Sequence, residues 1–195
     1  MLHNTFCRRL AALVLTLAVA LSAVLPVFAV YPMPVQTATE TEAVYLFNAD
    51  TGKTILNQNA DQQQYVASLT KLMTALLLLE SGKDLNGEVT VPTDLTQEFK
   101  DIQNANGTTM GLRIGETVRR IDLLNAMLIV SANDAASVIA YDVGGSVLDF
   151  VRQMNARAAE LGMNDTVFKN CNGLDEDGHI TSAYDVAVMS RALMQ

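Results

Sequence analysis

From Leu72 to Leu79, seven of eight residues are apolar: Leu72, Met73, Ala75, Leu76, Leu77, Leu78 and Leu79, interrupted only by Thr74. A helix of that composition has no polar face to give to water, so it must form the buried centre of a domain. The spacing predicts a helix from Ser68 to Glu80, closed by Ser81-Gly82 with the glycine in the C-cap region. Lys71 is out of place on such a helix. A surface lysine lays its stem on apolar surface and sends its amine to water, and a helix apolar nearly all round offers no such exit. Burial lowers the pKa of a lysine, which is the property a general base requires. Ser68 lies three residues earlier, on the same helical face. An amine within reach of a hydroxyl is what an acyl-transfer serine needs when no histidine serves as its base.

The chain has two histidines, and His3 falls in a segment that reads as a signal peptide, residues 1–29. His3, Arg8 and Arg9 make a basic start, Leu10 to Leu25 is almost wholly apolar, Pro26 breaks the run, and Val27-Phe28-Ala29 offers small residues at the two positions a signal peptidase reads. The run is short for a membrane span and no charged stop follows it. Cleavage after Ala29 is expected, with a retained N-terminal anchor as the alternative. Cys7 precedes the apolar run, so it is not placed for lipid attachment. Export then leaves all 21 acidic residues and 11 of the 13 basic ones, a balance that argues against a nucleic-acid partner. It also leaves Cys171 as the one cysteine, which excludes an internal disulfide and a cysteine zinc site.

Residues 30–42 are rich in Pro, Thr and Glu and read as an exposed leader; residues 43–195 read as one partial catalytic domain. Ala43 to Phe47 and Lys53 to Asn57 are expected to pair as a hairpin around the turn residues Asn48 to Gly52. Val89 to Pro92 is extended, Asp94 to Phe99 a short helix, and Gln103 to Gly111 a polar loop. Thr117 with Arg120 to Val130 reads as an apolar helix ended by Ser131-Ala132-Asn133, and Asp134 to Tyr141 as the next helix. Ser146 with Asp149, and Ser182 with Asp185, have the spacing of capping boxes that open two further helices. A two-stranded sheet is too small to cover these helices, so the sequence reads as incomplete at its C-terminus.

Ser-x-x-Lys at Ser68 occurs once, and so does Ser-x-Asn at Ser131. Taken singly, Ser68 could be a helix N-cap, and Ser131 and Asn133 could be turn residues. Together they resemble penicillin-binding proteins and class A β-lactamases. The surrounding text narrows the resemblance to the low-molecular-weight D-alanyl-D-alanine carboxypeptidases, serine peptidase family S11. It runs from Ala67-Ser68-Leu69-Thr70-Lys71-Leu72-Met73-Thr74-Ala75-Leu76-Leu77 through Met110 to Glu116, Asp122-Leu123-Leu124 and Ser131 to Ala136. It continues with Met154-Asn155, Leu161-Gly162-Met163, Phe168, Asn170, Gly173, Leu174, His179 and Thr181 to Asp185.

The resemblance implies a β-lactamase/transpeptidase-like α/β (α+β) fold, with helices packed on an antiparallel sheet. It implies that Ser68 attacks the carbonyl between two terminal D-alanines of a peptidoglycan stem peptide, that Lys71 takes the serine proton, that Ser131 relays a proton to the leaving amine, and that Asn133 binds the substrate backbone and orients Lys71. No cofactor and no metal are implied. β-Lactams would acylate the same serine, the site of action would be the outer face of the cytoplasmic membrane, and peripheral membrane association would come from a C-terminal region absent here. The family's third element, Lys-Thr-Gly or Lys-Ser-Gly, is not found; Lys53-Thr54 is followed by Ile55. That element holds the substrate carboxylate and completes the oxyanion hole, so the chain as written is expected to be a fragment with weak or no activity. The alternatives are a serine β-lactamase and a non-catalytic peptidoglycan-binding relative.

Three other residues invite readings. Glu160 follows the Ser-x-Asn motif, as a deacylating glutamate would, but ends an amphipathic helix and reads as a surface residue. Asp175-Glu176-Asp177-Gly178-His179 reads as a solvated acidic turn, with too few ligands for a metal. Cys171 reads as a small, partly buried residue.

Overall fold

The computed structural model describes residues 42–195; the expected signal peptide and nearly all of the leader lie outside the described residues. Strands β1 (Val44–Phe47) and β2 (Thr54–Gln58) pair antiparallel, with Val44 opposite Gln58 and Leu46 opposite Leu56. The Asn48 carboxamide closes their turn by accepting from the Thr51 N–H and hydroxyl at 2.8 and 2.9 Å. The hairpin is anchored by the Tyr45 ring, which meets the edge of Tyr184 with centroids 5.0 Å apart.

Helix α1 (Lys71–Glu80) is the hub. It packs against α3 (Arg120–Ile129), α4 (Asn133–Gly144), α5 (Val147–Glu160) and α6 (Ala183–Leu193). Met73, Ala75, Leu76 and Leu78 are buried, as a helix without a polar face demands. The burial is not complete all round, because Leu79 reaches solvent. Helix α4 buries eight consecutive residues, Asn133 to Ala140. Its alanines at 135, 136 and 140 keep the backbone close to its neighbours. It stops at Gly145, whose φ of 78° is the left-handed conformation that a helix C-terminus favours. Phe150, Met154, Phe168 and Met189 complete the core.

The two serines cap their helices as expected, Ser146 Oγ accepting from the Asp149 N–H at 3.0 Å and Ser182 Oγ from the Asp185 N–H at 3.2 Å, while the carboxylates take other donors, Asp149 the Ser146 hydroxyl and Asp185 the Asp165 N–H and Thr166 hydroxyl. A second two-stranded sheet was not expected. Strand β3 (Glu88–Thr90) pairs antiparallel with β4 (Thr117–Arg119), so the segment read as the start of an apolar helix is a strand through Arg119. β-Branched Thr117 and Val118 suit a strand once a partner lies beside them, and the Thr90 and Thr117 hydroxyls meet across the pair at 3.1 Å. Helix α2 (Thr96–Asn104) likewise extends into what reads as a polar loop. Among the described residues, no helix is long and apolar enough to cross a membrane, and no cluster of His, Cys, Asp or Glu has the arrangement of a metal site.

Candidate active site

Ser68 does not sit in α1 itself. It lies in a 3-10 turn, Ala67–Thr70, that leads into the helix, and its side chain caps nothing. The turn exposes Ser68 and Leu69 and drives Thr70 and Lys71 inward. It begins at Ala67 with φ of 47°, a left-handed value that costs a residue with a Cβ. What holds it there is Gly173, φ 84°, packed so closely that a Cβ on it would lie 2.0 Å from the Ala67 carbonyl oxygen.

Lys71 is buried among three acceptors. Its Nζ donates to Asn133 Oδ1 at 2.8 Å, to the Asn172 main-chain carbonyl at 2.5 Å, and to Ser68 Oγ at 3.1 Å. Burial pulls its pKa from 10.5 to about 8. The three partners are not equivalent. The two carbonyl oxygens only accept, whereas the serine hydroxyl can donate as well. When Lys71 loses a proton, its two remaining N–H bonds stay on Asn133 and Asn172, and its lone pair faces the Ser68 hydroxyl. The arrangement can therefore take a proton from Ser68 without moving a heavy atom.

Ser131 Oγ donates to Ser68 Oγ at 2.7 Å, with the Ser131 backbone at φ 61°, left-handed again. Asn133 opens α4, and its own N–H is tied to the Thr108 carbonyl at 2.8 Å. The next residue, Asp134, gathers the N–H groups of Met110, Gly111 and Leu112, each at 3.0 Å, which fixes the 108–112 loop against α4. The four residues singled out in the sequence, Ser68, Lys71, Ser131 and Asn133, thus meet at one point, drawn from the α1 entry and the α3–α4 turn.

Glu160 is exposed and pairs with Arg157 at 2.9 Å. Cys171 is fully buried rather than partly so, and burial pushes its thiol up to about 12. The acids 175–177 are exposed as expected, but His179 is not part of a solvated turn. It is 2% exposed, with Nε2 2.8 Å from Thr70 Oγ1. A main-chain carbonyl such as that of Asn172 carries no residue-type signal, and Gly173 gave no sign beyond its glycine that it supports the Ser68 turn.

The model of the D-alanyl-D-alanine carboxypeptidase family matches residues 31–195. The chain is 36% identical over 160 residues to D-alanyl-D-alanine carboxypeptidase DacF of Bacillus subtilis, covering 82% of this chain and 40% of that protein. It is 32% identical over 163 residues to DacC of Escherichia coli, covering 80% and 40%. Among solved structures, penicillin binding protein 6B from Escherichia coli superposes with a TM-score of 0.73 at 33% identity, covering 82% of this chain and 52% of that one. A Streptomyces K15 DD-transpeptidase variant superposes with a TM-score of 0.73 at 26% identity, covering 82% and 63%. These structures carry the transpeptidase-like fold that the sequence implies. The chain spans less than half the length of either of these carboxypeptidases.

Proposed function

The chain belongs to the D-alanyl-D-alanine carboxypeptidase family, and from that premise we propose that it supplies the nucleophile and base of a serine peptidase that removes the terminal D-alanine from peptidoglycan stem peptides outside the cytoplasmic membrane. The observation that carries this reading is the buried Lys71 amine, 3.1 Å from the exposed Ser68 hydroxyl with a pKa pulled down to about 8. Ser68 Oγ attacks the carbonyl carbon between the two D-alanines as its proton passes to Lys71 Nζ. The negative charge collects on the carbonyl oxygen, beside the N–H groups at the entry of α1. The proton held by Lys71 is relayed through Ser131 to the leaving amine, the C–N bond breaks, D-alanine departs, and Lys71 is neutral again with an ester on Ser68 for water to hydrolyse. Asn133 keeps its Oδ1 on Lys71, which turns its NH2 toward the substrate backbone. β-Lactams would be opened by the same attack and would stay on the serine.

This mechanism fixes a pH dependence. Acylation needs the neutral amine, and below about pH 8 each unit of acid removes about nine-tenths of it. With the full-length protein, the rate of acylation by a fluorescent penicillin is expected to rise about tenfold from pH 6 to 7, and to level off above pH 9. A flat profile from pH 6 to 9 would remove Lys71 as the base. Stability moves the same way. Between about 8 and 10.5 the unfolded chain holds the Lys71 proton and the folded one does not, so the fold gains stability as pH rises through that window.

A further inference from the structure

Beside Ser68 a threonine and a histidine are buried against each other, and neither takes part in the proposed acylation. Thr70 is wholly buried, and its hydroxyl lies 2.8 Å from His179 Nε2. The other ring nitrogen, Nδ1, faces the Lys169 N–H at 3.3 Å. A backbone N–H can only donate, so Nδ1 accepts, the ring proton sits on Nε2, and Nε2–H donates to Thr70. The histidine is thus a two-ended tie between residue 169 and the serine turn.

What lies between its attachments gives the tie its meaning. From Lys169 to His179 the chain passes over the start of α1. The Cys171 carbonyl accepts from Thr74 Oγ1 at 2.7 Å, the Asn172 carbonyl accepts from Lys71 Nζ, and Gly173 props Ala67. Within this strap, Asn170 Oδ1 accepts from the Gly173 N–H at 2.7 Å. Beyond Gly173 it makes the exposed acidic turn and returns at His179. Thr181 then pairs with Gln64 through two backbone hydrogen bonds, and Asp185 holds Asp165 and Thr166 at 2.9 and 2.7 Å.

Resting on the assignment of Ser68 and Lys71, we propose that His179 is a positioning residue: bonded to Thr70, it clamps the 169–174 strap onto the serine turn and so keeps the Asn172 carbonyl on Lys71. Protonation opposes the clamp, because a charged ring would point Nδ1–H at the Lys169 N–H. Burial favours the neutral ring, as does the nearby Lys169 amine, while Glu176 and Asp175 act the other way. The Phe168 ring, 5.9 Å away, carries no charge.

The test uses the full-length protein and two readouts, acylation by a fluorescent penicillin from pH 5 to 9 and amide exchange at residues 169–174. His179→Ala and Thr70→Val are each expected to slow acylation about 10- to 100-fold, the cost of a misplaced reacting group, and to speed exchange in the strap. Because they cut one bond, the double variant is expected to be no slower than His179→Ala. His179→Gln can still donate to Thr70 and cannot be protonated; it is expected to recover most of the rate and to lose the acid-side fall that His179 adds. Unchanged strap exchange in Thr70→Val, which keeps the shape and removes only the hydroxyl, overturns the clamp. So does a folded His179→Ala that acylates at the parental rate, or strictly additive effects of the pair. If the unsubstituted protein does not acylate, the Ser68 assignment falls, and strap exchange still decides the clamp.

Discussion

Ser68→Ala in the full-length protein is expected to abolish covalent labelling by a fluorescent penicillin and to lower release of D-alanine by about 10⁴–10⁶-fold, the scale on which loss of a serine nucleophile is felt. Ser68 Oγ is the atom on which Lys71 and Ser131 converge, and neither threonine hydroxyl of the same segment can replace it. Thr70 is buried and turned to His179, and Thr74 is spent on the Cys171 carbonyl. The fold should tolerate the change, because Lys71 keeps Asn133 and Asn172 and the Ser68 side chain is exposed. Peptide mapping of the labelled protein checks this. A label that survives the substitution on another residue would show that the nucleophile is elsewhere.

Gly173→Ala is expected to be more damaging than any other alanine substitution of a glycine in the chain. The new methyl would lie 2.0 Å from the Ala67 oxygen and 2.4 Å from its carbon, both backbone atoms that cannot swing aside, at a φ of 84°. Overpacking and left-handed strain together should cost about 2–5 kcal/mol. The displacement falls on the residue before Ser68, so the fraction that folds should also acylate slowly. Gly145→Ala is the control, since it carries a comparable φ with no atom within 4 Å of the added methyl. Urea melts of the two variants with acylation rates on the folded protein are the measurement. Equal stabilities would mean that the close approach of Gly173 and Ala67 is not a constraint.

The parts of this molecule that were legible in the sequence are those whose physics is written in side chains. Seven apolar residues in a row of eight announce a buried helix, and a lysine on that helix announces an altered pKa. Ser146 and Ser182, each three residues before an aspartate, announce helix starts. That Ser68, Lys71, Ser131 and Asn133 form one candidate site was legible because each contributes a chemically distinctive side chain. What was not legible depends on partners distant in sequence. Thr117 to Arg119 is a strand only because Glu88 to Thr90 lies beside it. The 3-10 turn at Ser68 exists because Gly173, over a hundred residues later, leaves room for Ala67. His179 resembled part of a solvated run because its neighbours are acids, yet its ring turns inward while theirs face out.

The Asn172 carbonyl gives the site an unusual division of labour between gene and backbone. Of the two fixed acceptors on Lys71, one is a side chain that a single codon change deletes, and the other belongs to the peptide bond and comes with every amino acid. Variation at position 172 cannot strip Lys71 of that partner; it can only tilt it. The side chain is free for a separate task, and here Asn172 Oδ1 accepts from the Leu174 N–H at 3.0 Å. A lineage drifting at this position would therefore tune the basicity of its lysine in small steps, whereas drift at position 133 would switch it.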